Sequence, residues 1–156
     1  MKIEQSKVTK LHLTELDNLD PVTVYLEDYE LGKGRITIEC YGESWTTYFN
    51  AMGKNTLSVF IPGCDKHYLM GRFAHNIDEQ IIDMDKLQEE ADEKGVLIPS
   101  DEPWKDSNFM NDMYSLVDPY GWWDCLPKKT NPEYMYVCRI IEAVKKAMLK
   151  NGCVNV

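Results

Sequence analysis

No motif of a known catalytic or metal centre occurs in this sequence. It holds only three histidines, and no GxSxG or cysteine-protease signature accompanies them, so no set of nucleophile, base and orienting group is legible. Gly32-Lys33-Gly34 lies between two strand-like runs, not between a strand and a helix start, which excludes a phosphate-cradling loop there. The five cysteines, at 40, 64, 125, 138 and 153, are odd in number, scattered and free of CxxC spacing. They read as reduced thiols in a cytosol. Long hydrophobic runs are also missing: the longest centres on residues 59–61, and the opening MKIEQSK has no apolar segment. The expectation is a chain without signal peptide or membrane span, acting in the cytoplasm.

An excess of positive charge is missing too. The formal charge is −9, and residues 78–102 contain ten acidic residues against two lysines, a net of −8. The other residues, 16 acidic and 15 basic, come to −1. So concentrated a negative field repels phosphate backbones and attracts basic surfaces, so no direct contact with nucleic acid is expected through this segment. Blocks of like charge also serve solubility alone, which is the plain reading of the same residues.

What is present is a patterned domain. At 156 residues, 44% of them hydrophobic, the chain can bury a core as one domain spanning 1–156. Residues 21–49 hold three runs of period two. Val22, Val24 and Leu26 share a face in the first, Ile36, Ile38 and Cys40 in the second, Trp45, Thr47 and Phe49 in the third. The opposite, wet face takes Tyr25, Glu27, Thr37, Glu39, Tyr41, Thr46 and Tyr48. A further strand fits residues 8–13, and Gly32, Gly34 and Gly42 mark the reversals, giving an antiparallel meander.

Beyond residue 50 the pattern is helical. Asn55 or Thr56 can cap a short helix broken by Pro62 and Gly63, and Asp65 can cap a second. Asp83 or Asp85 can cap an acidic surface helix with a thin stripe of Met84, Leu87 and Ala91 that stops at Gly95. Asp106 or Ser107 can cap another, carrying Phe109, Met110, Met113, Tyr114 and Val117. After an irregular stretch, Pro132 opens the last helix, with Tyr134, Val137, Cys138, Ile141, Val144 and Met148 on one side. The fold class is α+β: a meander of three to four strands packed against C-terminal helices, with the helix after Asp106 also on the sheet.

Several strings in the chain resemble a known group. SKVTKLHLTELDNLDPVTVYLEDYE at 6–30, RITIEC at 35–40, SWTTY at 44–48 and LPKKTNPEYMYVCRII at 126–141 are similar to a family of small accessory proteins of lambdoid temperate phages and their prophage remnants. Residues 57–123 show no shared pattern, and the family carries no motif of assigned function. The resemblance implies a context: phage accessory proteins of this size often act by binding a host protein, and inhibitors of host defence, of the CRISPR or restriction type, are prominent among them.

These readings converge on a non-enzymatic protein that binds and modulates a host protein, with no cofactor and an oligomeric state that the sequence does not specify. The expected partner is a nucleic-acid-handling defence complex whose basic groove the acidic segment enters. Candidate contact residues are Asp83, Asp85, Glu89, Glu90, Asp92 and Glu93, and the aromatic cluster Tyr120, Trp122 and Trp123. Two alternatives stay open. Cys64 and His67 have the spacing of a ligand pair, though structural zinc sites show two such pairs, so no metal is expected; paired carboxylates leave no signature, so a small enzyme is not excluded. Tyr25, Tyr41 and Tyr48 could stack single-stranded bases, against which Glu27 and Glu39 on the same face argue.

Overall fold

The structure, a computed structural model, describes residues 1–114 and 121–150. In chain order its elements are β1 (Thr9–Leu13), β2 (Val22–Glu30), β3 (Lys33–Cys40), β4 (Glu43–Phe49), α1 (Leu57–Gly63), α2 (Lys66–Phe73), β5 (Gln80–Ile82), α3 (Met84–Lys94), a 3-10 turn (Pro103–Lys105), α4 (Ser107–Tyr114), α5 (Trp122–Cys125), β6 (Lys128–Thr130) and α6 (Pro132–Lys150). The residues gather into two compact units, one of 1–77 with 132–156, the other of 78–131.

The first unit is a two-layer α+β structure. Strands β1 to β4 form one antiparallel sheet in chain order. Its register sets Val22 opposite Cys40, Val24 opposite Ile38 and Leu26 opposite Ile36, while Ile36 faces Thr47 and Ile38 faces Trp45. One face of the sheet is therefore apolar, as the alternation predicts. It is covered by α1, α2 and α6, whose Leu57, Ile61, Leu69, Met70, Ile140, Ile141 and Met148 complete a core with the strands. Pro132 opens α6, where a missing N–H costs nothing.

The caps are read partly right. Asp65 caps α2, accepting from the amides of His67 and Tyr68 at 2.8 and 3.4 Å. At α1, Thr56 is the N-cap residue but its side chain makes no capping bond. Asp28, from β2, instead accepts the Leu57 amide at 2.8 Å. The residue that orders the helix start thus lies in the sheet, at the irregularity between Asp28 and Glu30, where no local pattern points to it.

Turn geometry corrects one placement. Tyr41 has φ +50° and Gly42 +82°, so Tyr41 belongs to the β3–β4 turn and not to the wet strand face. On the β2–β3 turn Gly32 sits at φ +83°. Its N–H donates to the Asn55 carbonyl at 3.1 Å and its carbonyl accepts from Met52 N–H at 3.0 Å.

The second unit has its own small core. Leu87 and Ala91 of α3, Phe109, Met110 and Met113 of α4, and Leu126 are buried together, with Ile82, Met84, Trp104 and Tyr114 partly buried against them. The apolar stripe of α4, expected to pack on the meander, is spent here instead. Asp83 caps α3 by accepting the Lys86 amide at 3.3 Å, Gly95 closes it at φ +68°, and Asp106 caps α4 through the amides of Asn108 and Phe109. Strands β5 and β6, legible in neither case from periodicity, form an antiparallel ribbon that sets Gln80 opposite Thr130, Ile81 opposite Lys129 and Ile82 opposite Lys128.

Candidate partner-binding site

The division into units sorts the charge. Residues 78–131 hold 14 acidic and five basic side chains, a net of −9; the rest of the chain holds 12 of each, a net of zero. The entire imbalance belongs to one unit.

Within that unit, α3 presents its carboxylates on the side opposite Leu87 and Ala91. Asp85, Glu89 and Glu93 follow one another at four-residue spacing, which on a helix stacks them along one ridge; all three are exposed, as is Asp92 beside them. Like charges so spaced cost a helix roughly 0.2–0.5 kcal/mol per pair. The sequence tolerates that cost twice along the ridge.

Asp85 at the head of the ridge and the carboxylates off it are engaged. Lys129 lies 3.3 Å from Asp83 and 3.4 Å from Asp85, tying the helix start to β6. The amide hydrogen bond from Lys86, more than any other influence, holds the Asp83 carboxyl below its usual range. Asp92 accepts from Gln88 Nε2 at 2.8 Å. Glu90, grouped in the sequence with the exposed acids, is half-buried and accepts from the Tyr114 hydroxyl at 3.4 Å. Lys94 caps this corner, donating to the Met113 carbonyl and lying 5.2 Å from the Tyr114 ring centroid.

Burial first, and then the Glu90 carboxylate, pushes the Tyr114 hydroxyl up to about 12. An unfolded tyrosine titrates near pH ~10. Between about pH 10 and 12 the unfolded chain sheds a proton that the folded one keeps, so this contribution to stability is whole below that window and lost as pH rises through it. Tyr114→Phe should accordingly lose less stability than wild type across the window. Denaturation midpoints measured at several alkaline pH values check this; identical losses would remove the role given to Tyr114.

A groove of about 650 Å³ lies in the same unit, lined by residues 78–82 together with Trp104, Trp123 and Lys128. Trp104 and Trp123 meet edge to face, with centroids 6.4 Å apart and planes at 80°. Lys128 Nζ lies 5.9 Å from the Trp123 centroid, and Trp123 is 54% exposed. Of the aromatic cluster read from the sequence, Trp123 is therefore placed at a groove; Tyr120 and the Trp122 side chain lie outside the described residues. Sequence reasoning missed Trp104 and the acids Asp78 and Glu79 as its neighbours. The ribbon that joins them pairs β5 with β6 across a long stretch of chain, and three-residue strands leave no periodic signal.

Residues of the two alternative sites make other contacts. Cys64 Sγ donates to the Phe60 carbonyl at 3.4 Å, and burial pushes its thiol pKa up. The His67 ring sits 3.4 Å from the Tyr134 hydroxyl. Among the described residues no group of three His, Cys, Asp or Glu side chains is arranged to hold a metal ion. On the wet face of the sheet, Tyr25 donates to Glu39 at 3.2 Å and has Lys10 over its ring at 5.6 Å, and Arg35 lies 5.8 Å from the Tyr29 centroid. That face is mixed in charge rather than acidic, since the strand alternation also places Lys10 and Arg35 there. Thr37 and Thr46 bridge across strands at 2.9 Å, as sheet-stabilising pairs do.

An α+β protein whose charge excess is gathered in one small unit is the class that fold and site define. The chain belongs to a phage family: the family model Phage_phiTE_072, described as "Phage family", matches residues 1–150. No curated protein and no solved structure matches the chain. Among the described residues no helix is long and apolar enough to cross a membrane.

Proposed function

We propose that this phage protein acts without catalysis, as an accessory protein that docks through its acidic unit on a basic surface of a host protein. The proposed partner is a nucleic-acid-handling defence complex of the CRISPR or restriction type, and the setting is the host cytoplasm. The observation that carries the reading is the confinement of the whole −9 imbalance to residues 78–131. A purely solubilising charge has no reason to be gathered on one unit while the other is neutral. An acidic ridge accepted at some cost to its own helix fits a surface shaped for an oppositely charged partner.

The test is affinity capture from nuclease-treated host lysate with the whole chain as bait. A basic host protein should be retained and should elute as salt is raised, while generic single- or double-stranded DNA should not bind at physiological salt. Retention of DNA, or a captured protein indifferent to salt, would count against acidic docking.

A further inference from the structure

Among the described residues, the ribbon of the acidic unit leaves one strand edge open beside the tryptophan groove. The Asp83 amide donates to the Pro127 carbonyl at 2.8 Å and the Asn131 amide to the Glu79 carbonyl at 2.9 Å, so residues 79 and 83 turn their backbone groups towards β6. In an antiparallel ladder such positions alternate. Gln80 and Ile82 therefore turn their N–H and C=O groups away from β6, and among the described residues no strand pairs with β5 on that side. The groove is lined by the unbroken run 78–82, as an edge, and not one face, would line it.

The chemistry around this edge selects its occupant. Asp78 and Glu79 stand at one end, the Trp123 ring at the side already attracts one cation, Lys128, and the unit around it is at −9. We infer that the groove takes an extended, arginine- or lysine-bearing segment of a partner protein, which adds to β5 as a third strand. The Gln80 and Ile82 backbone groups hold the segment's main chain, and its cationic side chains meet Trp123 and the carboxylates. Gln80 and Ile82 share a ribbon face with Lys128, so alternate side chains of an added strand would fall on the same side as the Trp123 ring. This inference rests on the proposed docking role and names the form its partner takes.

The probe is a short fluorescent peptide alternating arginine with valine, titrated against the whole protein by anisotropy. Its counterparts are the same peptide with every backbone amide methylated and one carrying glutamate in place of arginine. The arginine peptide should bind and the glutamate peptide should not. Methylation of its amides, or Gln80→Pro in the protein, should weaken binding roughly tenfold by removing strand hydrogen bonds. Gln80→Pro removes only an outward N–H, which an edge strand tolerates, and the methylated peptide tests the same bonds with no change to the protein. Trp123→Ala should weaken it by about threefold to tenfold, the range of a cation–π contact.

Equal binding of the methylated peptide, or no loss in Trp123→Ala, would overturn the inference, since charge alone would then account for the attraction. Peptide binding as expected, with host capture unaffected by lysines on α3, would leave the groove standing and dismiss the ridge. Loss of capture on such a reversal, with a peptide indifferent to methylation, would dismiss the groove and keep the ridge.

Discussion

Reversing Glu89, Asp92 and Glu93 to lysine together is expected to abolish capture of the host partner while leaving the fold intact. Each reversal changes the charge by two, so the net of residues 78–131 rises from −9 to −3. All three side chains are exposed, and exposed substitutions usually move stability by about 0.5 kcal/mol or less. The only described hydrogen bond among these carboxylates is that from Gln88 to Asp92, on the surface. Glu90 is left in place for a physical reason: it is half-buried against Tyr114 close to Lys94, so a lysine there would bring two cations together in a partly desolvated corner. A folded triple variant that still captures the partner, with the salt response of wild type, would show that the ridge takes no part. Circular dichroism and thermal melting establish the folded state independently of capture.

Replacing Gly32 by valine is expected to be the most damaging single change at a turn. The φ of +83° costs a non-glycine residue about 1–3 kcal/mol. Independently, a Cβ there would lie 2.3 Å from the Gly53 carbonyl oxygen, a backbone atom that cannot rotate away. The Gly32 N–H and C=O are both engaged by residues 52–55, so the turn cannot shift without losing them. Crowding of this kind costs about 1–3 kcal/mol more. The total is a large share of the roughly 5–15 kcal/mol that folded domains possess. Gly53→Ala separates the two causes, because Gly53 also has positive φ, +68°, but open space around its Cβ position. Urea midpoints should fall far more for Gly32→Val; similar falls for both would mean that the clash contributes nothing.

What was legible followed from local repetition. The meander could be read because β2, β3 and β4 each bury one face, and α6 because Val137, Ile141, Val144 and Met148 recur at helical spacing. Asp65, Asp83, Gly95 and Asp106 announce helix ends through chemistry confined to a few neighbouring residues. What was not legible depends on residues distant in the chain. A stripe such as Phe109, Met110 and Met113 shows that α4 buries a face, but not that Leu87 and Ala91 are what it meets. The β5–β6 ribbon, and with it the groove, is fixed by pairing Gln80 with Thr130, for which the sequence holds no pattern. Tyr41 continues the alternation of the wet face, and its turn leaves no signal because two-residue turns favour asparagine or aspartate before glycine, a habit that a tyrosine with φ +50° breaks. The candidate ridge was visible as charge, whereas the sorting of Glu90 from Glu89 and Glu93 required the position of Tyr114.

The most direct measurement is the rate at which the captured partner associates with the wild-type protein as ionic strength is raised. Exposed charges act over a Debye length that shrinks from about 10 Å at 0.1 M salt to about 3 Å at 1 M. If the acidic unit steers docking, the association rate should fall steeply over that range, towards the roughly 10⁵–10⁶ M⁻¹s⁻¹ of unsteered encounters, with the dissociation rate changing much less. An association rate that stays level from low to high salt would contradict the account.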